Sequence, residues 1–393
     1  MNEQHLRPHR PVLSIAPMMD CTDRHYRYFM RLITSRTLLY TEMISTGAIV
    51  HGDRSWLLDF DPSERPLALQ IGGSDIDEIA RATEIADAWP YDEINLNVGC
   101  PSDRVQERGL GACLMLTPER VRDMVSAMRT RTSKPVTVKH RIGVDEMNRY
   151  EDLLHFVQTV REAGPARFTV HARIAWLKGL SPKDNRNIPP IRYEDVYRLK
   201  RDCPELDIEI NGHIKTLSEA RDHLDYVDAV MMGRAAYDSP WVFSAADAFL
   251  SEHAKEQGAD GAGLPPGAAG LSGASRLPSG AAGLSSGAAG LYPAADRFES
   301  TCRTRGEVIE RMVPYFDYWL RRGTPGRKIA RHMLGLFAGM PGAKAWKQAL
   351  SGKLPDDCGP ILRRMRAELP RESILAPRQA VSPRIMPDAE RAG

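Results

Sequence analysis

Cysteine is scarce in this sequence, with six residues among 393 and no Cys-x-x-Cys pair. The absence of such pairs and of any regular cysteine spacing argues against a disulfide framework and a zinc site, and it favours free thiols in a reducing cytoplasm. Apolar runs are too short to cross a bilayer, and the polar stretch from Met1 to Arg10 has no signal-peptide core. Net charge is also nearly absent, at +2, so no overall basic field indicates a nucleic-acid partner.

Positive charge is nevertheless concentrated towards the C-terminal end. Between Thr301 and Glu372 the chain has 15 Lys and Arg residues against 7 Asp and Glu, a local excess of +8. Before this stretch the pentad Gly-Ala-Ala-Gly-Leu begins at residues 267, 280 and 287, a composition that cannot bury a core. We therefore predict a catalytic domain over residues 1–250, a disordered insertion over 251–298, a basic helical domain over 299–374 and a disordered tail over 375–393.

Eight short apolar stretches alternate with helix-like segments over roughly 240 residues. This alternation predicts an α/β fold, specifically a (β/α)8 TIM barrel, followed by a small C-terminal all-α domain. A doubly wound open sheet would normally carry Gly-x-Gly-x-x-Gly after its first strand, which Ala16-Pro-Met-Met19 does not match. The predicted strands are residues 12–16, 38–43, 67–71, 93–97, 136–139, 168–171, 208–211 and 227–232.

A cysteine follows the fourth predicted strand. Gly99 and Pro101 end that strand around Cys100, and the glycine-rich segment Gly109-Leu-Gly111 comes before the next helix. Chemistry in these barrels belongs at the C-terminal ends of the strands, so a thiol placed there suits covalent or proton-transfer catalysis. A buried, inert cysteine is the alternative.

The other predicted strand ends also carry polar or turn-forming residues. Lys139 would need an anion or a carbonyl partner inside a barrel, or would form a Schiff base, unless it reaches solvent at the rim. His171 and Gln70 are either site residues or structural ones, and Gln70 suits the edge of a heterocycle. Gly212 and Gly233-Arg234 follow strands seven and eight, where barrels bind phosphate, although ordinary turn glycines fit the same pattern.

Two basic regions are candidates for contacts with RNA. Residues 175–190 interleave Trp176 with Lys178, Lys183 and Arg186, a mixture that suits stacked bases and phosphates as well as a solvated loop. The basic face of the C-terminal helices is either solubilising or a nucleic-acid surface.

Taken together, these segments resemble the tRNA-dihydrouridine synthases, and specifically their DusA-type subfamily. The resemblance covers both predicted domains in order, apart from the insertion, and Asn-Val-Gly-Cys-Pro-Ser is its most specific motif. The loop from Ala175 to Pro182 is what points to the subfamily. The matching segments are Ala16-Pro-Met-Met-Asp20, Thr22-Asp-Arg-His25, Leu96-Asn-Val-Gly-Cys-Pro-Ser102, Val138-Lys-His-Arg-Ile-Gly143, Val170-His-Ala-Arg173, Ala175-Trp-Leu-Lys-Gly-Leu-Ser-Pro182, Ile210-Asn-Gly212, Met232-Gly-Arg-Ala-Ala-Tyr237 and Arg331-His-Met-Leu-Gly-Leu-Phe337.

The resemblance implies a cytoplasmic, monomeric enzyme that uses FMN and NADPH to reduce uridine in the D-loop of tRNA, at positions 20 and 20a. In the family pattern the flavin's hydride goes to C6 of a flipped uracil, and Cys100 protonates C5. The pattern also assigns roles to other residues. Pro17, Met18, Met19, Gln70, Lys139, His171, Asn211, Gly212, His213, Gly233 and Arg234 bind the cofactor, whereas Asn97, Lys183, Arg186, Lys328 and Arg331 contact tRNA.

Three departures from the family pattern concern the site and the domain linkage. Cys21 stands where relatives often carry Trp, and His213 replaces the second glycine of an Asn-Gly-Gly turn, a position that suits positive φ. The insertion lies between the two predicted domains. Two other functions stay open on the sequence: a flavin barrel that acts on a free small molecule, and a tRNA-binding protein that has lost catalysis.

Overall fold

The computed structural model of the chain describes residues 11–257, 301–352 and 359–380. Residues 258–298 of the predicted insertion and 381–393 of the predicted tail lie outside the described residues. Within the described ranges, no helix is long and apolar enough to cross a membrane. The cysteines of these ranges are free thiols, as predicted: Cys21, Cys100, Cys113, Cys203 and Cys302.

The predicted TIM barrel is confirmed by a ring of parallel strands. In the described part of the chain the order around the ring is β1-β9-β8-β7-β6-β5-β4-β2, and β3 also pairs with β4. Hydrogen bonds from Ile15 N to Leu38 O (2.9 Å) and from Leu38 N to Leu13 O (3.1 Å) close it. The strands are β1 (Leu13–Ile15), β2 (Leu39–Tyr40), β3 (Ile44–Ser45), β4 (Leu67–Gly72), β5 (Glu93–Val98), β6 (Val136–Val144), β7 (Phe168–Ala175), β8 (Ile208–Asn211) and β9 (Ala229–Met232).

Helices follow the strands and turn their apolar faces towards the barrel. Asp75, for example, caps the helix that starts at Ile76 by accepting from Glu78 N, and Ile79 and Ala86 of that helix are buried. The helices of the barrel region are α1 (Arg24–Arg31), α2 (Thr46–His51), α3 (Arg54–Leu58), α4 (Ile76–Asp87), α5 (Asp103–Gln106), α6 (Pro118–Arg129), α7 (Tyr150–Arg161), α8 (Tyr193–Asp202), α9 (Leu217–His223), α10 (Arg234–Asp238) and α11 (Ala246–Glu256).

Two strands are longer than predicted. β6 and β7 continue to Val144 and Ala175, so the predicted strand ends at Lys139 and His171 are wrong, and both residues lie within their strands. The polar residues His140 and Arg141 interrupt the apolar pattern of β6, so the sequence does not indicate that this strand continues. Arg141 is nevertheless buried, because its guanidinium donates to three backbone carbonyls.

The second predicted strand, residues 38–43, is a strand only at β2 (Leu39–Tyr40); residues 41–43 belong to no strand, and β3 (Ile44–Ser45) begins after the predicted range. The Thr41 hydroxyl accepts from Gln70 N at 3.0 Å, so a side chain replaces a backbone carbonyl in the ladder. β2 and β3 both pair with β4, in the same position of the barrel.

A group of helices near the C-terminus packs against the barrel. α1 carries Tyr28, which stacks on Tyr315 with ring centroids 3.9 Å apart. Gly335 lies so close to the barrel that a Cβ there would be 2.6 Å from Asp238 O. The helices are α12 (Arg305–Leu320, with Pro314 inside), α13 (Gly326–Ala330), α14 (Ala343–Ser351), α15 (Gly359–Glu368) and α16 (Arg371–Leu375).

An ion cluster fills the interior of the barrel near the N-terminal ends of the strands. Arg167 Nη2 lies 2.6 Å from Glu93 Oε2, and Arg167 Nε lies 3.4 Å from Glu209 Oε2. Tyr40 Oη donates to Glu93 at 2.7 Å, and Ser14 Oγ donates to Glu209 at 2.6 Å. Hydroxyl donors thus satisfy oxygens of both carboxylates that the single guanidinium does not reach.

Removing Arg167 should therefore destabilise the barrel strongly. Arg167→Ala leaves two buried carboxylates without a counter-charge, and we expect it to lower the free energy of unfolding by about 3–5 kcal/mol in urea denaturation. Arg161→Ala is the matched control, since Arg161 pairs with Glu205 on the surface. Its cost should stay below about 1 kcal/mol. Equal losses in the two variants would contradict the structural role of the cluster.

Candidate active site

The C-terminal ends of the strands meet at one end of the barrel, called the mouth below. Cys100 lies there, half-buried, in a turn whose own backbone is fully bonded. The N–H groups of Gly99 and Cys100 donate to Asn97 Oδ1 at 3.1 and 3.0 Å. Arg141 Nε donates to Gly99 O at 2.9 Å, and Ala112 N donates to Cys100 O at 2.9 Å. The thiol is thus carried by a fixed backbone.

The glycine after the short helix α5 is required by this turn. Gly111 has a φ of +73°, and a Cβ at this position would lie 2.4 Å from Cys100 O. Only glycine combines that backbone conformation with so close an approach. The same loop is tied to the segment that follows β7, because Gln106 Nε2 donates to Leu177 O at 3.1 Å.

Lys139 lies beside Cys100 on the neighbouring strand. In the register of β5 and β6 it pairs with Asn97, and its Nζ donates to Asn211 Oδ1 at 3.2 Å. Burial lowers the pKa of Lys139 to about 8, and Arg141 lowers it as well, whereas Glu209 and Cys100 raise it. A buried ammonium whose polar partner is a neutral amide is prepared for an anionic or electron-rich ligand.

His171 packs directly on the backbone of the β8 turn. A Cβ on Gly212 would lie 3.1 Å from His171 Cδ2, and Gly212 has a φ of +135°. Burial lowers the pKa of His171 well below its usual value, and the surrounding cations, Arg141 and Lys139 foremost, lower it further. The imidazole is therefore neutral at pH 7 and offers one donor and one acceptor.

A cluster of positive side chains lies where β7, β8 and β9 end. Burial lowers the pKa of Arg173, and Arg234 lowers it further. Burial and Lys215 lower the pKa of His213, and Arg173 and Arg234 add to that decrease. The guanidinium of Arg173 bonds only carbonyl oxygens, those of Asn187 and Pro189, and Arg234 bonds Asn187 Oδ1 at 2.8 Å and Arg186 O at 3.3 Å.

This donor set fits the phosphate of a nucleotide cofactor. Arg173 Nε is buried and has no hydrogen-bond partner in the described residues, and two guanidinium groups whose described hydrogen bonds go to neutral oxygens favour an anion. His213 has a φ of +55°, so the turn keeps the left-handed backbone that a glycine would favour, at a cost of about 1–2 kcal/mol. The ends of β7, β8 and β9 can therefore hold a phosphate group.

The segment after β1 forms a tight turn at the mouth. Met18 O accepts from Cys21 N and Thr22 N, both at 3.0 Å. Pro17 and Met18 are partly buried, while Met19 is 55% exposed. Burial raises the pKa of the Cys21 thiol to about 11.

The predicted cofactor amide, Gln70, makes one hydrogen bond at each of its polar atoms. Its Nε2 donates to Asn95 Oδ1 and its Oε1 accepts from Asn97 Nδ2, both at 2.8 Å. One N–H and one lone pair remain for a ligand. Asn97 likewise keeps one N–H after its contacts with Gln70 and the Cys100 turn.

The predicted RNA contacts fall into two groups. Arg186 and Arg331 are near the mouth, since both lower the pKa of Cys21. Arg331 Nη2 is also paired with Asp23 Oδ2 at 2.8 Å, which joins the C-terminal helices to the start of α1. Lys183 and Lys328 are exposed, and among the described contacts none links either of them to the mouth.

Sequence reasoning missed two arginines of the mouth. Arg141 and Arg173 stand within the quoted motifs but beyond the predicted strand ends, and so were not assigned to the site. The signal that could have found them is the pattern Lys-x-Arg and His-x-Arg, which places both members on the same face of an extended strand.

The family model and the similar proteins point to the same family. The model of the family described as dihydrouridine synthase (Dus) matches residues 14–260. A tRNA-dihydrouridine(20/20a) synthase of Synechocystis sp. is 50% identical over 339 residues, which are 86% of this chain and 88% of that protein. Proteins of the same name from Shewanella oneidensis (46% identity; 86% and 87% covered) and Vibrio parahaemolyticus (44%; 92% and 97%) are also similar.

The environment of Lys139 leads to a prediction about its titration. In protein freed of ligands, the Lys139 ammonium should lose its proton with a pKa of about 8, because burial disfavours its charged form. Chemical shifts of 13C-labelled lysine side chains measured from pH 6 to 11 would follow this proton, with these limits bracketing the ordinary lysine value of about 10.4.

Lys139→Met identifies the resonance by removing it. Lys134, which is paired with Asp87 at 2.9 Å, provides an internal comparison for a lysine with a carboxylate partner. A Lys139 midpoint at or above the ordinary value would contradict the assignment of a desolvated ammonium to the mouth.

Proposed function

The chain belongs to the dihydrouridine synthase family, and we propose that it reduces uridine to 5,6-dihydrouridine in the D-loop of tRNA, at positions 20 and 20a. The observation that carries the proposal is the Cys100 thiol, held in a fixed turn at the barrel mouth, where it interacts electrostatically with Lys139 and Arg186. An enzyme that acts on tRNA would work in the cytoplasm, and we propose that location and a monomer.

We propose FMN as the cofactor and NADPH as its reductant. Reduced FMN supplies the hydride for C6 of the uracil. Arg173 and Arg234, with the backbone at Gly212, His213 and Gly233, would hold the phosphate, in keeping with the cation cluster there.

The remaining cofactor contacts surround the ring. Lys139, His171, Asn211 and Gln70 would bond its polar edge, while Pro17, Met18 and Met19 would pack against it. The Lys139 ammonium would stabilise negative charge on the reduced ring, for which a buried cation beside a neutral amide is suited.

Cys100 would act as the general acid. When the C5–C6 double bond of uracil gains a hydride at C6, C5 takes the thiol proton, and the thiolate then regains a proton from solvent. The fixed backbone of residues 99 and 100 supports this role, since proton transfer depends on placing the donor within hydrogen-bond reach.

The uracil must leave its base stack to reach the thiol. We propose that Asn97, Lys183, Arg186, Lys328 and Arg331 contact the tRNA, with the helical domain of residues 299–374 as the second half of the RNA surface. The basic charge of that region supports this arrangement. Asn97 can give its free N–H to the base.

Cys100→Ala tests whether the Cys100 thiol is the general acid. We expect the purified variant to keep its flavin and to lose about 10²–10⁴-fold in dihydrouridine formation, because proton donation contributes a factor of that size. The assay is NADPH-dependent turnover on tRNA from a strain without this modification, with dihydrouridine mapped by position. Cys113→Ala, in the same loop, is the matched control, since its thiol donates to Leu110 O at 3.0 Å and should be dispensable.

Retained turnover in Cys100→Ala would contradict the role of Cys100 as general acid. Purified protein that is colourless but binds tRNA would contradict the proposal that the enzyme uses a flavin. Oxidation of the reduced enzyme by free uracil as fast as by tRNA would favour a small-molecule substrate instead.

A further inference from the structure

A chain of side-chain hydrogen bonds runs up the barrel interior from the ion cluster to the Cys100 turn. Thr137 Oγ1 donates to Glu93 Oε1 at 2.6 Å, and Asn95 Nδ2 donates to Thr137 Oγ1 at 2.8 Å. Gln70 then donates to Asn95, and Asn97 donates to Gln70, each at 2.8 Å. All five side chains are buried, the most exposed being Asn97 at 8%.

Every hydrogen bond in this chain points the same way. Glu93 is paired with Arg167, so its carboxylate only accepts, and the Thr137 hydroxyl must donate to it. The Thr137 oxygen then accepts from Asn95, which fixes the orientation of that amide. The same reasoning fixes Gln70 and finally Asn97, whose Oδ1 is left facing the N–H groups of Gly99 and Cys100.

The alternative orientation of Asn97 would be harmful. A reversed amide would direct its NH2 group at the two backbone N–H groups and leave the turn without an acceptor. The two N–H groups of the turn favour the orientation with Oδ1 facing them, whereas shape alone does not, because an amide can rotate by a half-turn within nearly the same volume. The row of donors that ends at the Glu93 carboxylate opposes the same reversal from the other end of the chain.

We propose that Thr137, Asn95 and Gln70 are positioning residues for Cys100: together with Asn97 they transmit the polarity of the Glu93 carboxylate to the turn that holds the thiol. The chain, called the amide relay below, acts through Asn97 and does not need to touch the substrate. Its catalytic consequence rests on the proposed function, whereas its effect on the turn does not.

Thr137→Val tests the relay at its lowest link, with little change in shape. Without the hydroxyl, Asn95 loses its acceptor, and the amides above it can reverse. We expect hydrogen exchange of the Gly99 and Cys100 N–H groups to become at least about tenfold faster in ligand-free protein. Alkylation of the Cys100 thiol by iodoacetamide, followed by mass spectrometry of the peptide, should change in rate as well, while alkylation of Cys113 stays the same.

Thr169→Val is the matched control. Thr169 is also fully buried in the interior, and its hydroxyl donates to Glu209 Oε2 at 2.5 Å, which is outside the relay. The two variants therefore remove the same group next to the same ion cluster. Thr169→Val should leave the exchange of the Cys100 turn as it is in the unaltered protein.

On tRNA, Thr137→Val should lower kcat by about tenfold or more and change KM less, because the thiol loses its position while the proposed tRNA contacts other than Asn97 lie outside the relay. If Thr137→Val does not fold, Asn95→Ala interrupts the relay one link higher and takes its place. Unchanged exchange at Gly99 and Cys100, or equal changes in the Thr169 control, would overturn the relay. Faster exchange without any turnover in the unaltered enzyme would support the relay and reject the proposed function instead.

Discussion

The pairing of Arg167 with Glu93 and Glu209 is the interaction on which the rest of the barrel interior depends. One guanidinium faces two carboxylates, and hydroxyl donors stabilise the carboxylate oxygens that it does not reach. The negative charge of the two carboxylates affects residues nearer the mouth in two ways. Glu209 raises the pKa of Lys139, and Glu93 sets the direction of the amides that lead to Cys100. An anion near one end of the barrel thus helps to hold cations and a thiol at the other.

Much of the fold was predictable from the sequence, because strand periodicity survives in the parts that are apolar. Residues 208–211 form β8 as predicted, and the other predicted barrel strands lie at the right places. Prediction failed where polar residues are buried. The sequence around Arg141 and Arg173 predicts the start of a loop. Both residues are nevertheless buried, because their guanidinium groups donate to backbone carbonyls, and no local sequence pattern indicates these hydrogen bonds.

The residues of the candidate site also differ in how easily the sequence identifies them. Cys100 and Lys139 were identifiable because a thiol just after a strand and an ammonium within an apolar strand are both chemically conspicuous. The amide relay was not, since Asn95 and Thr137 look like ordinary strand residues, and their partners are 25 or more positions away in the sequence. Long-range pairing across a barrel depends on register, which the sequence of one strand does not specify.

The fixed backbone at Cys100 also limits where the loop can move. With the polar groups of Gly99 and Cys100 all bonded, a closing motion over a substrate has to begin beyond Pro101. Gly109, with a φ of +67° and no atom nearer than 3.8 Å to a Cβ placed there, has the freedom that Gly111 lacks. The loop therefore separates two tasks: the residues that present the thiol are rigid, and the residues between Pro101 and Gly111 can adapt to an RNA partner. In the proposed mechanism Cys100 is the proton donor and belongs to the rigid part, so its distance to a bound base would not depend on how far the loop closes.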